Sequence, residues 1–369
     1  MGADTSRLQR TRVAVEGANL DGLLVTHLPN VFYLSGFTGS NAALIVLPDS
    51  LHLFTDGRYT IQAGEECPGS RVHIVRGPLA DACGKFLAAG RRPRGKGREF
   101  TKIRVGFDPV HVNVSEWTRL QKAAGSQIRW KPAAGLVESL REVKDVDELK
   151  IMREAAKLGS EVMTEVIGLV RPGVSELELA AEIDYRMRRK GAQGTSFESI
   201  VASGPRSALP HARPTAKRVQ KGELVVLDLG AILRSYCSDL TRTVHVGKAS
   251  SKVCNWYRAV EDAQKAALDA LKAGVTAGSV DRAARRTLER SGLARYFVHS
   301  TGHGLGIEVH ETPRLGKGQM QKIVVGSVVT LEPGIYLEGA GGIRIEDDVA
   351  VLSTGPEVIT SAPRGFVEI

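Results

Sequence analysis

Cysteine is scarce in this chain, and what there is follows no metal or disulfide pattern. Cys67, Cys83, Cys237 and Cys254 form no CxxC pair and match no zinc-finger spacing. That argues against a disulfide-stapled secreted scaffold and a thiolate zinc module. The four read as free thiols in a reducing cytoplasm. Long apolar runs are also missing: none approaches the roughly 20 residues of a membrane span. The first residues, with Asp4, Arg7, Arg10 and Arg12, lack the apolar core of a signal peptide. A phosphate-binding loop is lacking too. Gly36-Phe37-Thr38-Gly39-Ser40 has neither the lysine nor the following helix of one, so it reads as a turn. The expectation is a cytoplasmic protein with no membrane partner.

Charge is moderate, at +9 over 369 residues, and much of it comes from Arg91 to Arg104, where Arg91, Arg92, Arg94, Lys96 and Arg98 alternate with glycines. No aromatic platform or binding motif accompanies this stretch, so it reads as a solvated basic loop and not as a nucleic-acid site. The length allows two domains with sizeable cores.

The first part reads as an α/β domain. Leu20 to Thr26, Ala42 to Leu47 and Leu51 to Thr55 are short apolar runs, Arg71 to Val75 and Ile103 to Phe107 are strands by composition, and Tyr59 to Glu66 suits a helix. Asp56-Gly57-Arg58-Tyr59 reads as a salt-bridged turn. A charged link near Leu136 to Asp147 separates this part from the rest, giving domains 1–137 and 138–369. From Asp147 to about Val170, apolar residues recur at helical spacing, and Pro172-Gly173 ends the helix. Ser175 and Glu178 form a capping box for a second helix to about Arg189. Phe197 to Ser203 reads as a strand, followed by a loop carrying Pro210, His211 and Pro214. Two more helices, Lys252 to Ala273 and Ser279 to Ser291, precede strands at Ile323 to Leu331, Ile335 to Leu337 and Ile343 to Val351. Two helices then strands, twice over, suggest an internally duplicated α+β domain.

The chemistry-bearing stretch is Leu224 to Val246. Asp228 sits inside the apolar run Val225-Val226-Leu227-Asp228-Leu229, and Asp239 precedes an alternating Leu240-Thr241-Arg242-Thr243-Val244. With a turn at Arg234-Ser235, the two acids fall on the two arms of a hairpin. An unpaired buried carboxylate costs several kcal/mol, and no lysine nearby answers either acid. The second half repeats the pattern. Glu332 ends an apolar strand before Pro333-Gly334, Glu346 lies in Gly342-Ile343-Arg344-Ile345-Glu346-Asp347-Asp348, and His303 is flanked by Gly302 and Gly304. The spacing of those glycines is wrong for a dinucleotide fold, so they read as letting the backbone pass close to a ligand. Four carboxylates in apolar strands carry about four negative charges, which two divalent cations balance. Oxygen ligands with one imidazole favour Mn²⁺, Co²⁺, Fe²⁺ or Zn²⁺ over a thiolate site. Cys237, two residues before Asp239, is a weaker ligand candidate.

At these residues the sequence resembles the pita-bread metallopeptidases, the family of methionine aminopeptidase, aminopeptidase P and prolidase. The pattern is specific: an Asp, a second Asp eleven residues on, a His in a glycine-rich loop, a Glu before Pro-Gly, and a Glu in GIRIEDD. The resemblance covers essentially the whole chain and implies a creatinase-like α/β N-terminal domain ahead of a pita-bread catalytic domain. It implies metal ligation by Asp228, Asp239, His303, Glu332 and Glu346, with Mn²⁺ first and Co²⁺, Zn²⁺ and Fe²⁺ as alternatives. His211, in Pro210-His211-Ala212-Arg213-Pro214, looks like the active-site histidine loop of the proline-specific branch. His310 and His299 resemble its other two histidines.

The functional roles rest on that resemblance. His211, His310 and Glu332 would be catalytic, with Glu332 as general base, and His299, Tyr336 and Arg344 would bind substrate or position a ligand. Arg344 would hold a ligand carboxylate by paired hydrogen bonds. The implied activity is an Xaa-Pro aminopeptidase acting on proline-containing peptides, with prolidase, which cuts only Xaa-Pro dipeptides, as the close alternative. A non-catalytic binding protein of the same fold is the reading from a different class. The family also implies a homodimer or a higher homo-oligomer.

Overall fold

A computed structural model describes residues 5–89 and 102–369. The basic residues Arg91, Arg92, Arg94, Lys96 and Arg98 lie outside the described residues. The chain divides into two compact units, Met1–Arg141 and Glu142–Ile369, so the division falls at 141/142 where the sequence pattern put it at 137/138. The short helix Leu136–Arg141 thereby belongs to the first unit.

In the first unit six strands form one sheet, in the order Arg71–Val75, Leu51–Asp56, Ala42–Val46, Gly22–Val25, Ile103–Phe107, Ile128–Pro132. Gly22–Val25 is antiparallel to Ala42–Val46 but parallel to Ile103–Phe107, which is in turn parallel to Ile128–Pro132. Leu24, Ile45, Phe54, Val105 and Phe107 face a core closed by Cys83, Leu87, Leu120 and Ala124 from the helices Leu79–Ala89 and Val114–Ala124. The sequence pattern revealed neither of these helices, nor Thr5–Gly17 and Leu28–Ser35. One of the four carries a readable start: Asn113 and Glu116 close a capping box ahead of Val114–Ala124. The Asp56 turn is salt-bridged, with Arg58 Nη2 at 2.9 Å from Asp56 Oδ2.

The second unit repeats a plan. The helices Val146–Ile167 and Glu176–Arg189 precede the strands Ile200–Ser203, Leu224–Leu229 and Leu240–His245, and the helices Ser251–Ala270 and Ala277–Arg290 precede Gly302–Gly304, Glu311–Leu315, Val328–Leu331 and Asp347–Leu352. Each pair of helices buries a cluster against its own sheet: Val162, Val166, Leu179 and Ile183 against Val225, Leu227 and Val244, and Val260, Ala263, Val280 and Ala284 against Val329, Leu331 and Val349. The expected capping box at Ser175/Glu178 is present, and a second one, unread in the sequence, starts Val146–Ile167 at Asp145/Glu148.

Three strands differ from expectation. Phe197 to Ser203 shortens to Ile200–Ser203, and Ile323 to Leu331 shortens to Val328–Leu331. Ile343 to Val351 is cut in two, because Gly341–Arg344 pairs with Gly334–Leu337 whereas Asp347–Leu352 pairs with Val328–Leu331. The chain changes sheet at Ile345-Glu346. The first-half hairpin is cut likewise at Gly230, where any Cβ would come within 1.9 Å of the Ser238 carbonyl oxygen. Its tip is the expected turn, but Arg234 (φ 48°) and Ser235 (φ 68°) both adopt the left-handed region, a conformation that glycine or asparagine usually fills.

Glu176 shows how the second unit tolerates a buried charge that binds nothing. It is fully buried at a helix start, and its carboxylate accepts the Ser203 amide (2.8 Å), the Thr215 amide (3.0 Å) and Arg206 Nε (3.0 Å). Glu176→Ala strands those donors and is expected to destabilise the second unit by about 3–5 kcal/mol in urea unfolding followed by circular dichroism.

Candidate metal centre

The change of sheet in each half carries acids out of regular strand. Asp228 keeps its place in Leu224–Leu229, paired in register with Thr241. Asp239 sits just before Leu240–His245, and Glu346 sits between the two halves of the cut strand. Glu332 follows Val328–Leu331, its amide bonded to the Thr301 carbonyl (2.8 Å). Asp228, Asp239 and Glu346 are buried. One oxygen each of Asp239 and Glu346 and one ring nitrogen of His303 lie within 4.8 Å of one another. His303 Nε2 also lies 3.5 Å from Glu332 Oε1 and 3.8 Å from Asp239 Oδ2.

Hydrogen bonding fixes the imidazole tautomer. His303 Nδ1 is 3.0 Å from the Gly304 carbonyl, which can only accept, so Nδ1 carries the proton. Burial pushes the ring's pKa down to about 4, so it is neutral at pH 7 and Nε2 presents a lone pair. A lone pair facing two carboxylates is repulsive unless a cation stands among them. The acids show the same deficit. Burial and mutual repulsion hold Asp239 and Glu346 well above the carboxylate range, and burial raises Glu332 to about 8. Asp228 Oδ1 and Asp239 Oδ1 are buried with no hydrogen-bond partner. One buried guanidinium, Arg344, adjoins the group. The donor set, the orphaned oxygens and the misplaced protons all fit divalent cations.

The remaining sequence candidates gather on the same group. Arg344 Nη2 donates to Asp228 Oδ2 (2.6 Å), Nη1 donates to the Tyr336 hydroxyl (2.6 Å) and the Pro210 carbonyl (3.1 Å), and Nε donates to Thr241 Oγ1 (3.1 Å). This corrects the expectation of a paired grip on one carboxylate: the guanidinium spreads over four acceptors and gives Asp228 a single bond. Tyr336, its proton held by burial up to about 12, passes the chain on to His299 Nε2 (2.8 Å). His299 Nδ1 donates to the Ser300 carbonyl (2.8 Å), and burial lowers the ring to about 4, so the approach of Nδ1 to Glu332 Oε2 at 3.8 Å is not an ion pair. His310 is exposed, its ring 4.3 Å from that of His303. His211 is exposed too, near enough for its charge to bear on both His299 and His310. Cys237 turns away, its thiol 3.5 Å from the Ile307 carbonyl.

The glycines beside His303 also answer a packing need. A Cβ on Gly302 would meet the Thr330 carbonyl oxygen at 1.9 Å, and one on Gly304 the Thr312 carbonyl oxygen at 2.1 Å. They let His303's strand press between its neighbours.

Several positioning groups were not evident from the sequence. Asp348 Oδ2 accepts the Asp239 amide (3.0 Å), and Thr241 Oγ1 donates to Glu346 Oε2 (2.6 Å). On the opposite face of the strand, buried Asp347 pairs with buried Arg242 (2.8 Å), whose Nη1 also holds the Glu346 carbonyl (2.6 Å). The signal for them was present: alternation along Glu346-Asp347-Asp348 sends the first and third acids to one face and the second to the other.

Two measurements test this centre. Asp239→Ala and Glu346→Ala should each lower bound metal severalfold in elemental analysis, and unchanged content would remove the two residues from the ligand set. In the metal-free protein, Glu332, Asp239 and Glu346 bind protons more tightly folded than unfolded. Its stability is therefore highest below pH about 4.5 as far as these groups contribute, and their contribution falls as pH rises toward about 8. Thermal unfolding between pH 5 and 8 should show that decline without metal and lose it with metal bound.

Comparison with known proteins gives the family. Residues 150–353 match the model of metallopeptidase family M24, and residues 7–143 match the creatinase/prolidase N-terminal domain. An Xaa-Pro dipeptidase from Bacillus anthracis superposes with a TM-score of 0.92 at 36% identity, over 99% of each chain. An X-Pro aminopeptidase from Thermotoga maritima gives 0.87 at 34%, over 97% of this chain and 100% of that one. The Xaa-Pro dipeptidase of Pyrococcus horikoshii is 33% identical over 95% of both chains. With the family model covering residues 150–353 and relatives above 30% identity along nearly its whole length, the chain belongs to the M24 metallopeptidases, hydrolases with a creatinase-like N-terminal domain ahead of a pita-bread catalytic domain.

Proposed function

We propose that this protein is an Xaa-Pro dipeptidase, a prolidase, working with two divalent cations held by Asp228, Asp239, His303, Glu332 and Glu346. The observation that carries the metal reading is the neutral His303 imidazole aimed at acids that one guanidinium cannot neutralise. The dipeptidase reading is favoured over the aminopeptidase first expected because relatives matching nearly the whole chain carry the name Xaa-Pro dipeptidase. The Thermotoga X-Pro aminopeptidase keeps Xaa-Pro aminopeptidase as the second reading. Manganese is the cation this reading names first, with Co²⁺, Zn²⁺ and Fe²⁺ behind it. Four free thiols suit a cytoplasmic setting. Among the described residues no helix is long and apolar enough to cross a membrane. A homodimer or higher homo-oligomer belongs to the same reading, and a nucleic-acid partner does not.

When bound, the cations supply Lewis-acid chemistry: they polarise the scissile carbonyl and lower the pKa of the attacking water. The residues do the rest. Glu332, the acid least deeply enclosed, accepts the water's proton and passes it toward the leaving nitrogen. Asp228 Oδ1, without a partner of its own, takes the substrate's free amine, which confines cleavage to the first bond. His310 and His211, exposed beside the ligands, donate hydrogen bonds to the developing oxyanion or to the residue after the cleaved bond. An Xaa-Pro bond offers no N–H, so its recognition rests on shape. The Arg344–Tyr336–His299 chain, each donor already committed, presents a fixed wall for the proline ring.

With Mn²⁺ present, Xaa-Pro should be hydrolysed at least tenfold faster than Xaa-Pro-Xaa, and the reverse preference would transfer the protein to the aminopeptidases. His310→Ala should lower kcat by about 10²-fold, the scale of a lost oxyanion donor, with metal content retained. Equal losses of metal and turnover would make His310 a ligand instead.

A further inference from the structure

The N-terminal unit holds a second constellation with metal-ligand chemistry, built by parallel neighbouring strands. Gly22–Val25, Ile103–Phe107 and Ile128–Pro132 run parallel and side by side, so the segments leaving their C-terminal ends emerge along one edge. In open α/β sheets that edge is where ligands bind. Each exit supplies one donor: His27 after the first strand, His111 after the second, Glu138 in the helix Leu136–Arg141 after the third. One ligand atom from each lies within 4.8 Å of the other two. The imidazoles stack with centroids 3.7 Å apart and planes at 13°, and His111 Nε2 is 3.5 Å from Glu138 Oε1. The lone pairs of parallel rings do not meet at one point, so binding a cation turns one imidazole out of the stack.

The group is also braced from behind. Glu138 Oε1 accepts from Asn30 Nδ2 (2.5 Å), whose Oδ1 accepts from Arg141 Nη1 (2.7 Å), and both Asn30 and Arg141 are buried. Thr26 Oγ1 donates to the His111 carbonyl (3.2 Å) and Asp108 Oδ2 accepts the Gly135 amide (3.0 Å), tying the three exits together. Metal-binding carboxylates are oriented by such hydrogen bonds. A plain His–Glu ion pair would need neither the second imidazole nor the buried Arg141–Asn30 support.

We propose that His27, His111 and Glu138 bind a zinc ion that pins the three strand exits of the N-terminal unit. Two imidazoles and a carboxylate without thiolate are a zinc donor set. The site shares no residue with the peptidase centre. Its test uses the full-length chain, stripped with chelator and dialysed against buffered Zn²⁺, with zinc per chain read by elemental analysis. Glu138→Gln and the double variant His27→Ala/His111→Ala should each hold one zinc fewer per chain than wild type while Xaa-Pro hydrolysis is unchanged. Zinc should raise the unfolding temperature of wild type more than that of either variant. Equal zinc counts in wild type and variants would overturn the assignment. Should the double variant not fold, Glu138→Gln decides alone, since it keeps both the side-chain volume and the acceptor for Asn30.

Discussion

The catalytic unit depends on one electrostatic imbalance. Four carboxylates and a neutral imidazole converge where a single buried guanidinium, Arg344, supplies positive charge. Without cations the folded chain meets that imbalance by holding protons on acids that would otherwise have lost them. The cost of gathering the acids is thus stored as affinity for divalent metal. Other buried charges in the unit are handled differently. Glu176 is ringed by amides, hydroxyls and Arg206, and Lys144 pairs with Glu311 at 3.0 Å, both side chains nearly inaccessible. Those groups are neutralised within the protein. Asp228 and Asp239 instead each keep one buried oxygen without a partner, the deficit that a cation would fill.

The backbone around the acids is shaped to sustain the imbalance. Gly230 and Gly302 sit where a side chain would collide with a neighbouring carbonyl, so strands approach more closely than ordinary pleating allows. The sheet changes at Ser238-Asp239 and at Ile345-Glu346 leave Asp239 and Glu346 outside strand pairing, with an oxygen of each near His303. Arg344 works at the same joint. It touches Asp228, Thr241, Tyr336 and the Pro210 carbonyl, so one side chain orients an acid of the cluster, the Tyr336 ring and the loop that carries His211.

Much of this was legible in the residues. Asp228 in an apolar run and Glu346 after Gly-Ile-Arg-Ile announce themselves because a strand does not bury a carboxylate without cause. The two helix pairs declare the repeat through 3.6-residue periodicity, and the boxed start at Ser175 marks one of the helices. Less was legible where tertiary contact overrides local pattern. Ile343 to Val351 looks continuous because apolar alternation cannot tell which sheet a residue joins. The glycines around His303 look like a ligand loop because composition does not show that the Thr330 and Thr312 carbonyls press on them. Thr5–Gly17 carries little amphipathic contrast to reveal it as a helix. The grip of Arg344 on four separate acceptors is long-range geometry that no spacing rule encodes.

The bond between the Glu346 amide and the Thr241 carbonyl, at 3.1 Å, joins the two repeats of the catalytic unit directly. Beside it, Asp239 leans on Asp348 and Arg242 on the Glu346 carbonyl, so each repeat completes the other's ligands. Neither repeat owns a finished site. The geometry of the acid cluster is therefore set by the docking of the repeats: a shift of one residue at the seam would break these bonds together and move Asp239 and Glu346 apart.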